Sequence, residues 1–118
     1  MKNQSLRRRL GFAVKGIRSA WRSETSFRQQ VGVVLGVLLI LVWRRPAMAW
    51  WALLLMNCGL VLAAELFNTA LDNALDYLSP ERHPAIAMAK DCAAGAVLLM
   101  SLTGVCVFIT FLVSTWPE

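Results

Sequence analysis

Three apolar stretches, residues 31–43, 47–64 and 93–113, dominate a chain of only 118 residues. A helix needs about 20 apolar residues to cross the hydrocarbon of a bilayer. The third stretch meets that length alone. The second reaches it when its helix continues into the acidic segment that follows, and the first when Phe27 and the polar residues beside it are included. With 58% hydrophobic and 16% charged residues, the composition lies on the membrane side of the globular norm. The expected fold is therefore an all-α membrane protein, one domain over 1–118. It comprises an amphipathic surface helix over 6–22 and transmembrane helices over about 27–43, 47–76 and 86–114.

The N-terminal segment is amphipathic at the helical period. Leu6, Leu10, Ala13, Val14, Ile17, Ala20 and Trp21 share one face, while Arg8, Lys15, Arg18 and Arg22 point away from it. A basic helix of this kind suits a bilayer surface, where its apolar side is buried and its cations meet anionic lipid. Lys15 and Arg18 also interrupt the apolar patch after Arg9, so a cleaved signal peptide is not expected. Eight of the twelve Lys and Arg residues precede position 30, and five of the seven acids fall between 65 and 91. The positive-inside tendency places the N-terminus in the cytoplasm. Three spans then return the loop at 77–90 to that side and put Arg44, Arg45 and the C-terminus outside. Two arginines oppose this orientation and eight basic residues favour it.

The segment AELFNTALDNALD, residues 64–76, sets charge at the end of an apolar span. Glu65, Asn68, Asp72 and Asp76 lie within about 80° of one another on a helix, forming one stripe. Ionisable groups at membrane depth cost about 2.5 kcal/mol or more when they face lipid, so the stripe is expected to face a partner helix, water or cations. Carboxylates in register are hard oxygen ligands for Mg²⁺, and a desolvated carboxylate can accept a proton. Lys90 and Asp91 open the third span after the same loop, and Glu24 and Arg28 stand before the first. Three readings are open on pattern alone: helix-holding ion pairs, a proton or ion path, and a catalytic or nucleotide site.

The remaining features read as structural. Cys58, Cys92 and Cys106 have neither metal-ligand spacing nor a disulfide framework and are expected to act as small buried hydrophobes. Pro80 and Pro84 are expected to end helices around a short loop. Gly32 with Gly36, Gly95 and Gly104 are expected at close helix contacts. Trp43, Trp50, Trp51 and Trp116 are expected in an interfacial belt.

Two strings then carry a resemblance. ELFNTALDNALD followed by HPAIAMAKDCAAGAVLL resembles the prokaryotic diacylglycerol kinase family, whose motif runs approximately E-x-x-N-[TS]-A-[IL]-E-x-x-x-D and then A-K-D-x-[AG]-[SA]-A-V. KGIRSAWRSETSFRQQ, residues 15–30, resembles the family's N-terminal region, so the likeness extends from about 12 to 113. It implies a bacterial inner-membrane, multi-pass lipid kinase, homotrimeric, with active sites shared between protomers. MgATP on the cytoplasmic side would phosphorylate a lipid hydroxyl, with no nucleic acid involved. By motif position, Glu65 would be the general base and Asn68 would orient the site. Glu24 and Asp72 would hold Mg²⁺. Lys90 would bind phosphate, while Phe12, Asp76, Glu81, Arg82, His83 and Asp91 would complete the nucleotide pocket. Arg18, Trp21, Glu65 and Ala94 would contact the lipid.

Two positions depart from the family pattern. Asp72 stands where the family usually has Glu, one methylene longer, and Phe12 where some relatives have Tyr, removing a hydroxyl near the nucleotide. Within the family, the expected substrate is diacylglycerol, giving phosphatidic acid, with undecaprenol as the alternative acceptor. HPAIAMAKDCAAGAV looks closer to the polyprenol kinases, and the arginine- and tryptophan-rich N-terminal half to the diacylglycerol kinases. A non-catalytic membrane assembly protein or ion path is the alternative from another class. No glycine-rich phosphate loop is present, and phosphoryl transfer by positioning and charge neutralisation does not require one.

Overall fold

The computed structural model describes residues 5–116 as four helices: α1 (Leu6–Ser23), α2 (Thr25–Arg44), α3 (Met48–Leu78) and α4 (Pro84–Thr115). α2, α3 and α4 are each long and apolar enough to cross a membrane, with mean hydropathies of 1.6, 1.7 and 2.5. The chain is a multi-pass membrane protein. Most of its large apolar side chains accordingly point outward: Leu39, Leu99 and Val113 are each about two-thirds exposed or more, an arrangement that only apolar surroundings tolerate on this scale.

Local chemistry sets the helix ends. The Ser5 hydroxyl accepts the Arg8 amide at the start of α1, a standard N-cap. α2 begins at Thr25, ahead of the expected boundary at 27, because Glu24 is extended and its amide closes the last turn of α1 on the Ala20 carbonyl (2.9 Å). α2 ends where Arg45 turns left-handed (φ 48°), immediately before Pro46. α3 continues two residues beyond 76, to Leu78. Pro84 opens α4 where it was expected to end a helix. It occupies the first turn, where the missing amide of proline carries no cost, so this helix starts at 84 and not 86.

α3 and α4 share the largest helix interface, and α1 lies across α2 and α3. The core sits at the end of the bundle near Arg44. Leu41, Leu54 and Phe111 are buried there, with Trp50, Trp51 and Phe108 packed around them. Trp50 meets Phe111 edge-on at 5.6 Å, a favoured aromatic geometry. Arg44 donates to the carbonyl (2.8 Å) and hydroxyl (3.0 Å) of Thr115 and lies over the rings of Phe111 and Trp116.

Several expectations need correction within the chain. Cys92 and Cys106 are exposed and Cys58 half-buried, all free thiols; their helix faces turn away from the bundle interior. Trp50 and Trp51 pack on the core, whereas Trp43 and Trp116 are exposed. Gly104 does lie at a close contact, since a Cβ there would collide with the Asn57 side chain on α3. Gly32, Gly36 and Gly95 meet no neighbour within 4 Å of an added Cβ.

Candidate active site

The site grows from α3. Glu65 is buried at 3% exposure, Asn68 and Asp72 are half-buried, and Asp76 is exposed, so the four residues pass from interior to water along one helix. Burying a carboxylate is costly unless it is paired or hydrogen-bonded. Among the described residues, Glu65 has no cationic partner. Its Oε2 accepts one hydrogen bond, from the Ser26 hydroxyl at 3.1 Å. One turn on, the buried Thr69 hydroxyl donates to the Glu65 carbonyl (2.9 Å). The Asn68 Oδ1 is buried without any hydrogen-bond partner among the described residues. An amide oxygen in that state is a strong acceptor awaiting a donor or a cation.

The α1–α2 corner delivers Ser26 to this position. Arg28, in the first turn of α2, donates to the carbonyls of Trp21 (2.5 Å) and Arg22 (3.2 Å) and to the Thr25 hydroxyl (3.2 Å). It caps the C-terminus of α1, where a cation also complements the helix dipole. Of the ion pairs open to the acids on sequence grounds, with Arg18, Arg22, Arg28 or Lys90, only that with Lys90 forms among the described residues. Their one ion pair joins Lys90 Nζ to Asp76 Oδ1.

Two cavities flank the stripe. The first, about 610 Å³, lies at the α3–α4 loop and is lined by Asp76, Ser79, Pro80, Glu81, Arg82, His83, Pro84, Ile86, Ala87, Lys90 and Asp91. It gathers every residue assigned to the nucleotide pocket except Phe12, Glu24 and Asp72. His83 has a second task there, because its Nδ1 accepts the Ala85 amide (3.0 Å) and caps α4. That leaves Nε2 as the imidazole nitrogen without a partner among the described residues. The second cavity, about 550 Å³, is an apolar groove between α1, α2 and α3. Val14, Ile17, Arg18 and Trp21 form one wall, and Phe27, Val31, Leu62 and Leu66 the other. Leu62 lies three residues before Glu65 on α3, a spacing that puts the two on neighbouring faces, and Leu66 is the next residue; Glu65 itself does not line the groove. Of the residues assigned to lipid contact, Arg18 and Trp21 line this groove and Ala94 does not; Phe12 and Ala94 are exposed and line neither cavity.

Ser26, Thr69 and the groove residues Phe27, Val31, Leu62 and Leu66 received no role from the sequence. Ser26 lies inside the recognised N-terminal string, but no periodicity links it to a residue 39 positions away.

Glu24, Asp72 and Asn68 offer oxygens of the hard type that suits a divalent cation. Glu24 and Asp72 are half-buried carboxylates without a Lys or Arg partner among the described residues, and the orphaned Asn68 oxygen lies on the same stripe. No three His, Cys, Asp or Glu side chains among the described residues gather as a metal cage. Mg²⁺ at phosphate-handling sites takes only one or two carboxylates and completes its octahedron with water and phosphate oxygens.

The family model for prokaryotic diacylglycerol kinase matches residues 11–112. The diacylglycerol kinase of Escherichia coli is 32% identical over 108 residues, covering 92% of this chain and 86% of the relative. That of Pseudomonas aeruginosa is 38% identical over 88 residues, covering 73% and 70%. The undecaprenol kinase of Bacillus subtilis is 29% identical over 90 residues, covering 76% and 73%. With this match spanning all four helices and both flanks of the acidic stripe, the chain belongs to the prokaryotic diacylglycerol kinase family.

Proposed function

We propose that the protein is an ATP-dependent lipid kinase that transfers the γ-phosphate of MgATP to the hydroxyl of diacylglycerol, giving phosphatidic acid and ADP. The observation that carries this reading is the buried Glu65 carboxylate, which has no cationic partner among the described residues and is flanked along α3 by the groove residues Leu62 and Leu66. A lipid in that groove, its chains against Phe27, Val31 and Leu62, brings its headgroup hydroxyl toward Glu65. Arg18 and Trp21 bound the same groove. Glu65 takes the hydroxyl proton as the oxygen bonds to the γ-phosphorus and the bond to ADP breaks; the proton then leaves to water. Asn68 holds the reacting groups in place. ATP sits in the loop cavity, with Lys90 moving from Asp76 to a phosphate oxygen and Glu81, Arg82, His83 and Asp91 around the nucleoside. Glu24 and Asp72 would hold Mg²⁺, which when bound neutralises phosphate charge. In this reading the protein works as a homotrimer in a bacterial inner membrane, with its N-terminus in the cytoplasm and α1 lying on the membrane surface.

Undecaprenol is the second reading for the acceptor, favoured by the Bacillus subtilis relative of that name. The test is ATP-dependent phosphorylation by the purified protein in mixed micelles, with diacylglycerol and undecaprenol supplied separately. Diacylglycerol is the expected preferred acceptor. Glu65→Gln is expected to lower turnover by about 10³-fold, within the usual range for loss of a general base. Preference for undecaprenol would move the protein to the second reading. No turnover on either lipid by folded oligomer would overturn the kinase assignment in favour of a non-catalytic membrane assembly protein or ion path.

A further inference from the structure

We propose that Ser26 is a positioning residue for the phosphoryl transfer, acting through Glu65. The inference rests on the reading of Glu65 as the base. A general base must offer one oxygen in a fixed direction to the hydroxyl it deprotonates, and a carboxylate on a flexible Glu side chain has no intrinsic reason to do so. Here the Ser26 hydroxyl donates to Oε2 at 3.1 Å, the one hydrogen bond that the described residues give this carboxylate. Oε1 therefore remains available to the acceptor.

The support behind Ser26 is equally specific. Ser26 lies in the first turn of α2, and its neighbour Phe27 is buried at 3% exposure. Arg28 ties that turn to the end of α1 through two carbonyls and the Thr25 hydroxyl. Ser26 is exposed, and it stands in the chain between Thr25, which Arg28 engages, and the buried Phe27, at the corner between the helices. A hydroxyl on a braced turn locks a carboxylate rotamer more firmly than water can, and supporting contacts of this kind decide whether a reactive group is within productive geometry. The same corner supplies Phe27 to the groove, so the base and the groove share one mechanical reference.

Steady-state kinetics of Ser26→Ala, Ser26→Thr and Glu65→Gln, with ATP and diacylglycerol each varied, test this. Ser26→Ala is expected to lower kcat roughly tenfold, the scale of one hydrogen bond to a charged group, with KM for both substrates unchanged within about twofold. Ser26→Thr retains the hydroxyl and is expected to restore most of kcat. Unchanged kcat in Ser26→Ala, beside an inactive Glu65→Gln, would overturn the role of Ser26 and leave the base intact. Equal loss in the Ala and Thr variants together with a lowered unfolding temperature would also overturn it, because the serine would then serve packing alone. Full activity in Glu65→Gln would instead remove the base itself.

Discussion

The two ends of the helix bundle treat polar groups in opposite ways. Near Arg44, the central polar groups are paired internally. The guanidinium caps α4 through Thr115 and covers Phe111 and Trp116, and the Thr115 hydroxyl donates to the Phe111 carbonyl (2.8 Å). Near Glu65, several polar groups lack partners among the described residues: the Asn68 oxygen is orphaned, Glu24 and Asp72 form no salt bridge, and Lys90 pairs with an Asp76 that is largely exposed. Aromatic packing fills one end, and two cavities of more than 500 Å³ open the other. One end is built to stay, the other to receive. In a membrane, where lipid is as apolar as leucine and packing supplies much of the association energy, such a division lets one region hold the helices while another leaves its chemistry unsatisfied.

Phe111→Ala should break this comparison most severely. Removing a fully buried ring forfeits its packing contacts, and a loss of about 3 kcal/mol is expected, at the low end for buried aromatic truncations because lipid offers little hydrophobic drive. Thermal unfolding in detergent micelles measures it, and activity per folded molecule should stay near that of the unmodified protein. A stable but inactive Phe111→Ala would mean that the two ends are coupled.

Asp72→Asn should show the reverse pattern. The residue has no salt-bridge partner to lose, so the unfolding temperature should move little. The Mg²⁺ concentration for half-maximal activity is expected to rise by about tenfold, the lower range for a weakened metal site. An unchanged Mg²⁺ titration would remove Asp72 from metal binding, direct or through water. The smallest effect is expected from Thr115→Val, which deletes one of the two acceptors of Arg44 while leaving the carbonyl. A loss of about 1 kcal/mol of stability follows from one hydrogen bond, with kinetics unaltered; the same unfolding assay resolves it.

The sequence was legible wherever the pattern repeated at helical spacing. The apolar runs located three helices, and the 3.6-residue period placed Glu65, Asn68, Asp72 and Asp76 on one face before any coordinates. Arg44 was half legible for the opposite reason. It was legible only as a charge opposing the expected orientation, whereas its side chain also bonds the end of α4, a contact 71 residues away that no local pattern encodes. Ser26 and the groove walls were hidden by the same distance, since helix packing pairs residues that share no spacing. Pro84 failed as a signal because proline stops one helix and starts another, while His83 lines the loop cavity and also caps α4, a second use that the sequence did not show.

The length of α3 has a consequence of its own. At about 1.5 Å per residue, Glu65 lies about 25 Å along the axis from Met48, Asp72 about 36 Å and Asp76 about 42 Å. A hydrocarbon layer measures about 30 Å. The helix is thus a gauge on which a hydrocarbon layer beginning at Met48 would end between Glu65 and Asp72. A bilayer thicker by a few ångströms, or one residue inserted ahead of Glu65, would shift every mark on that scale, and the insertion would also turn the stripe by about 100°. Membrane thickness thereby decides which of these carboxylates lie in hydrocarbon and which in water.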